Sequence, residues 1–229
     1  MKYLIRITTT ALLILIGANQ AMAIEEAKYE VIKKDNEFEI RDYASHILAE
    51  TVVQGKMEEA GKEAFQLLFH YISGGNQSRK KVAMTAPVSQ QPMGEKIKMT
   101  SPVGQRRVEQ GWVISFMMPA SYTLETLPQP DDPKVTLRQV PARRMAAVRY
   151  TGFWSEKSYM QHRLALESWI HKTDLTIKGD PIWARYNSPF TPWFMRRNEV
   201  LIPIDADTAL EVQSSPAGNN YKGHSSDTY

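Results

Sequence analysis

Residues 38–55 read "FEIRDYASHILAETVVQG" and residues 135–152 read "VTLRQVPARRMAAVRYTG". Aligned without a gap, every pair 97 residues apart, Arg41 falls on Arg138, Ala49 on Ala146 and Gly55 on Gly152. Apolar positions coincide as well: Phe38 with Val135, Ile40 with Leu137, Leu48 with Met145. Both segments alternate apolar and polar residues, as half-buried strands do. Each therefore predicts a strand, a short turn and a second strand that ends at a glycine. A chain that spells this unit twice is built from two equivalent structural halves.

A helix is expected after each glycine. In the first half Met57, Ala60, Gly61, Ala64, Leu68, Tyr71 and Ile72 recur at helical spacing, with Glu59, Glu63, Gln66 and His70 opposite them. Ser73-Gly74-Gly75 supplies the stop. In the second half Ser155 is placed to cap the N-terminus, and Tyr159, Arg163, Leu166 and Ile170 line one side. Further strands close each half: "KKVAMTAPV" has a counterpart in "IWARYNSPF", and "WVISFMMP" in "NEVLIP". Neither half can cover its own apolar face, so the two pack together. The expected fold class is α+β: duplicated strand-helix-strand units forming a distorted antiparallel β-barrel with two flanking helices. The halves span about residues 28–119 and 134–204 of one domain, 24–212, joined by the proline-rich segment 120–134.

One pentapeptide also occurs twice, as Met84-Thr85-Ala86-Pro87-Val88 and Met99-Thr100-Ser101-Pro102-Val103. Proline lacks an N–H and holds its predecessor extended, which suits strand edges and bulges. The two copies read either as a paired edge hairpin or as a direct contact for a ligand.

The ends of the chain stand apart. Lys2 and Arg6, the apolar run "ALLILIGA" and the Ala21-Met22-Ala23 pattern predict an export signal cleaved after Ala23, or an N-terminal anchor if uncleaved. The expected location is periplasmic or secreted, with no membrane span after cleavage. Residues 213–229, rich in Ser, Gly, Asn and Asp, are expected to form a disordered tail. Without Lys2 and Arg6 the chain carries 26 basic against 25 acidic residues, which gives no support to nucleic-acid binding. With no cysteine at all, disulfides, thiolate metal sites and a cysteine nucleophile are excluded.

"FEIRDY", "KVAMTAPV", "KIKMTSPV", "WVISFMMP", "VTLRQVPARRMAAVRYTG" and "YNSPF…RRNEV", in this order, resemble the SOUL heme-binding protein family over about residues 28–205. The resemblance implies a duplicated strand-and-helix barrel, similar to bacterial effector-binding domains, with an apolar surface cleft for heme or a related tetrapyrrole. One branch of the family is proposed to use an axial histidine directly after the arginine of the first strand, where this chain has Asp42, a partner for an arginine or a turn residue. Other members bind heme along the first helix with a lysine near its C-terminus, a position that aligns here with His70. Lys62 aligns with an earlier basic residue of that helix, and Phe65 and Phe69 with flanking apolar ones. The resemblance thus makes His70 a candidate iron ligand, Lys62 a propionate partner and Phe69 a porphyrin contact. A solvated His70 on the polar side of an amphipathic helix is the alternative.

Other residues carry weaker signals. His46 is expected to be solvent-exposed in a turn, His162 to be packed, and His171 to complement a helix C-terminus. Trp183, Tyr186, Phe190, Trp193 and Phe194 read as a pocket wall or as core packing. Arg196 and Arg197 read as carboxylate clamps or as partners of Glu199 or Asp42. No G-x-S-x-G elbow, phosphate-cradling glycine loop or H-E-x-x-H helix is present. The reading is non-enzymatic binding of heme or a similar flat apolar ligand in the cell envelope. The alternatives are a tetrapyrrole-modifying enzyme and an envelope scaffold without a ligand.

Overall fold

A computed structural model describes residues 24–79, 94–173 and 175–206. The expected export signal, the first pentapeptide and the tail beyond residue 213 lie outside the described residues. The first half contributes β1 (Glu25–Glu26), β2 (Tyr29–Asp35), β3 (Phe38–Tyr43), β4 (His46–Val53), helix α1 (Met57–Ile72), β5 (Asn76–Gln77), β6 (Thr100–Ser101), β7 (Val103–Val108) and β8 (Gly111–Met117). After β9 (Gln129–Pro130), the second half contributes β10 (Thr136–Val140), β11 (Arg143–Tyr150), helix α2 (Glu156–His171), β12 (Leu175–Ile177), β13 (Ile182–Arg185) and β14 (Asn198–Ala206). At the 97-residue offset β4 coincides with β11 at both ends, and β3 with β10 except for its first residue.

The main sheet runs β10-β4-β8-β7-β13-β14-β11-β3-β2, with β12 added onto β14, and every pairing in it is antiparallel. It curls into a half-barrel around a pseudo-twofold axis between β7 and β13. The repeated strands do not pair with each other inside one half. β3 pairs with β11, Ile40 opposite Ala146, and β10 pairs with β4, Leu137 opposite Ala49. Each half thus lends a strand to the other. The connections Ala44-Ser45 and Pro141-Ala142 turn the chain between strands of different partnership.

The sheet is covered on both faces. On the helix side α1 packs on β4 and β8, and α2 on β11, β12 and β14. All seven apolar positions expected for α1 are buried there. In α2 Tyr159, Leu166 and Ile170 are buried, while Arg163 bridges to Glu167 at 2.8 Å. The Ser155 hydroxyl accepts from the Ser158 N–H at 3.2 Å, the cap that the sequence predicts; Lys56 at the start of α1 makes no side-chain cap. On the inner face Tyr43, Met145, Ala147, Ala184, Tyr186 and Leu201 form a second core. This is why β11 shows four consecutive buried residues, Met145 to Val148, instead of alternation.

A charged network crosses the exchanged strands. Arg41 donates to Glu199 Oε2 at 2.7 Å and Oε1 at 3.3 Å, Tyr186 donates to Oε2 at 2.8 Å, and Arg197 to Oε1 at 3.0 Å. Arg197 also reaches Glu26 at 2.8 Å. Its twofold mate is simpler: Arg138 makes a bidentate pair with Glu50 at 2.7 and 2.8 Å near solvent.

In the second pentapeptide Thr100 and Ser101 pair in parallel with Glu25 and Glu26; its expected pairing with the first copy lies outside the described residues. No helix among the described residues is long and apolar enough to cross a membrane.

Candidate functional site

α1 turns Glu58, Gly61, Lys62, Phe65 and Gln66 toward a cavity of about 750 Å³. Their spacing of three and four places them on one helical face. The far wall comes from Met99, Thr100, Ser101 and Val103, and from Trp183 and Arg185 to Phe190. Small-molecule sites typically occupy ~300–1,000 Å³, so a drug-sized or porphyrin-sized molecule can be received.

Arg185, at the end of β13, defines the chemistry. It lines the cavity with its guanidinium 5.0 Å from the Trp183 ring centroid and 5.4 Å from that of Trp154. Its Nε is buried without a hydrogen-bond partner, and the side chain has no carboxylate partner among the described residues. Burial pushes its pKa down to about 10. Gly61 lies against it: a Cβ there would be in ordinary contact with Nη2 at 3.6 Å but crowd Gln105 Oε1 at 3.3 Å, an oxygen that is itself buried and unpaired. Buried cations are normally paired, and a carboxylate on a bound molecule would complete this one.

Trp154 is held in place from several sides. Its Nε1 donates to Asn198 Oδ1 at 2.8 Å, Asn198 in turn donates to the Gly152 carbonyl at 3.3 Å, and Arg196 lies 4.4 Å over the ring. Gly152, with φ +133°, takes the backbone conformation that turns β11 into α2.

The candidate residues of α1 separate. Lys62 and Phe65 line the cavity, and Phe69, half-exposed, stacks on Phe65 at 5.8 Å. His70 does not line it. Its ring folds over the turn that ends the helix, so close that a Cβ on Gly75 would fall 2.3 Å from Nε2. Asp42 accepts a bidentate pair from Arg144 at 2.7 Å, which holds its carboxyl below the usual range. That is the arginine partnership expected of it.

His162 stacks on Tyr150 at 3.8 Å, packed as expected, and His171 lies in the last turn of α2. His46 differs from expectation. It opens β4 half-buried and borders a small hollow of about 60 Å³ on the inner face, its Nδ1 2.9 Å from the Ala44 carbonyl. Burial chiefly lowers its pKa, the Ala44 carbonyl opposes this, and Arg143 and Arg138 add to the lowering. Of the two arginines, Arg197 serves Glu199 and Glu26, while Arg196 donates to the carbonyls of Thr191 and Pro189.

Sequence reasoning missed Arg185 and Trp154. Nothing in "IWARYN" tells which face of β13 the arginine occupies. Trp154 falls between strand and helix, where periodicity is silent.

A duplicated α+β half-barrel with an apolar, cation-bearing cavity beside its first helix defines a small-molecule-binding class. The chain belongs to the SOUL heme-binding protein family, whose pattern it matches over residues 24–203. It is 27% identical over 165 residues to heme-binding protein 1 of Xenopus tropicalis, covering 71% of this chain and 81% of that one. Heme-binding protein 1 of Mus musculus is 26% identical over 170 residues, covering 73% and 84%. Among solved structures, the cryo-EM structure of an EcmrR–DNA complex superposes with a TM-score of 0.51 at 9% identity, covering 86% of this chain and 63% of that one. That likeness concerns the fold alone.

Proposed function

We propose that the protein binds heme, or a related tetrapyrrole bearing carboxylates, in the cavity beside α1, and holds it without transforming it. The observation that carries this reading is the unpaired Arg185 guanidinium between Trp154 and Trp183 in a cavity of about 750 Å³. Membership of a heme-binding family supports it. Arg185 takes one propionate from inside and Lys62 meets another at the rim. Phe65 and Phe69 extend the apolar surface on which the ring lies. Heme would supply a flat apolar disc, two carboxylates and an iron centre. Holding the disc and the carboxylates suffices for affinity, and His70 is assigned no bond to the iron.

The N-terminal basic, apolar and Ala-x-Ala segments support export, so the binder works as a periplasmic or secreted carrier or buffer. Isolation from the periplasmic fraction, with N-terminal sequencing and mass spectrometry of the co-purifying ligand, tests both parts. An N-terminus at Ile24 and a bound tetrapyrrole are expected; an intact Met1 removes the location, and a flat hemin titration of folded protein removes the ligand. Hemin-loaded protein given a reductant and oxygen should keep its Soret band. Protein-dependent loss of the band would show catalysis instead.

A further inference from the structure

The loop between β13 and β14 continues the cavity rim into an apolar surface. Phe190 lines the cavity and is 95% exposed. Phe153, Phe194 and Met195 are each at least 60% exposed, although Phe153 stacks on Trp193 at 5.1 Å. Ile24 and Met99 add exposed apolar groups at the cavity itself. Free energy of this kind is normally recovered by burying such a patch.

The surface is firmly built. Arg196 ties the loop to itself through the carbonyls of Thr191 and Pro189, and a single 3₁₀ turn, Trp193–Met195, presents the side chains outward. Residues 187–197 contain two arginines and no carboxylate. Arg197 is neutralised by Glu26 and Glu199, but Arg196 has no carboxylate partner among the described residues. Lys62 adds a second cation at the rim, without a carboxylate partner among the described residues.

The geometry points to this loop as a docking surface for a bilayer with anionic headgroups, through which an apolar ligand passes between membrane and cavity. Tryptophan and phenylalanine settle at the headgroup boundary, and cations beside them favour anionic lipid. A protein partner would leave the cavity blocked, because the same residues form its rim. A bilayer is itself a reservoir for flat apolar molecules. Docking needs no bound heme, so it can fail while the binding reading stands, and the reverse.

The absence of cysteine provides the test. In the full chain, Phe194→Cys creates a unique thiol for a polarity-sensitive fluorophore. Glu109→Cys, in the turn between β7 and β8 at the opposite end of β7 from the cavity, is the control. Vesicles of phosphatidylcholine and phosphatidylglycerol in equal parts should blue-shift the label at 194, saturably and less at high salt, and leave the label at 109 unmoved. Adding Phe190→Ser and Trp193→Ser should weaken the response about tenfold, with far-UV circular dichroism unchanged. No shift at 194, equal shifts at both positions, or an equal response to pure phosphatidylcholine would overturn the proposal. So would a shift that follows protein concentration without vesicles, which would make a second copy the occupant.

Discussion

Arg185 rests against two indole rings and, among the described residues, no carboxylate, so the ligand-free site carries an uncompensated cation. Replacing it with an apolar side chain of similar reach separates folding from binding. Arg185→Met should raise the hemin Kd about tenfold to a hundredfold, the worth of a charge-assisted hydrogen bond of ~1.5–3 kcal/mol. The unfolding free energy should stay level or rise, read by urea titration. An equal loss of both would make Arg185 structural. His46 gives a pH signature. Its folded pKa lies below the ordinary value of 6.5, so the unfolded chain binds more protons as the pH falls through that value. Stability is therefore lost on the acid side, from about pH 6.5 downward. The Arg143 and Arg138 charges facing the ring keep that sign. His46→Gln should flatten the stability profile between about pH 7 and 5. Neither role was legible beforehand, because period-two patterning marks which residues alternate but not which face of a curled sheet is enclosed. The α1 core was legible throughout, since a helix on a sheet has one wet side.

The repeated arginines show how one element in two contexts acquires two energies. Arg41 meets a Glu199 side chain with 0% exposure, whereas Arg138 meets Glu50 with its own side chain 47% exposed. Glu199→Gln should cost ~3–5 kcal/mol, because it removes the fully buried carboxylate that Arg41 and Arg197 share and leaves them only the less buried Glu39 and Glu26. Glu50→Gln should cost at most ~1 kcal/mol. Denaturant titration of both variants checks the contrast, and equal costs would refute the assignment of burial. At the helix starts, Lys56→Ser gives α1 the cap that Ser155 gives α2 and should add ~0.5–1 kcal/mol. The repeat in the sequence announced strand, corner, strand and helix, and both copies deliver them. It did not say which copy pairs with which, since β3 matches β11 in pattern as well as it would match β4.

At the scale of the molecule the exchange of β3 and β10 makes the halves interdependent. A fragment of residues 24–120 keeps β2 but lacks β11, the other partner of β3, and β10, the outer partner of β4, and should show no cooperative unfolding transition by circular dichroism. Co-expression with 121–229 should restore one. A fragment that unfolds cooperatively alone would contradict the interlocked sheet.

The pseudo-twofold axis also has a historical meaning. The two helices now differ: α1 presents Gly61 and Lys62 to the cavity, whereas α2 buries Tyr159, whose ring is 3% exposed and lies 5.7 Å from Trp183. An unfused ancestor, compelled to work as a homodimer, would have owned two identical mouths. Once both copies shared a single gene they could diverge: the mouth beside Gly61 and Lys62 kept a wall of Trp154 and Trp183, while the hollow of about 870 Å³ beside Tyr159 took a charged rim of Arg107, Glu109, Arg163 and Asp180.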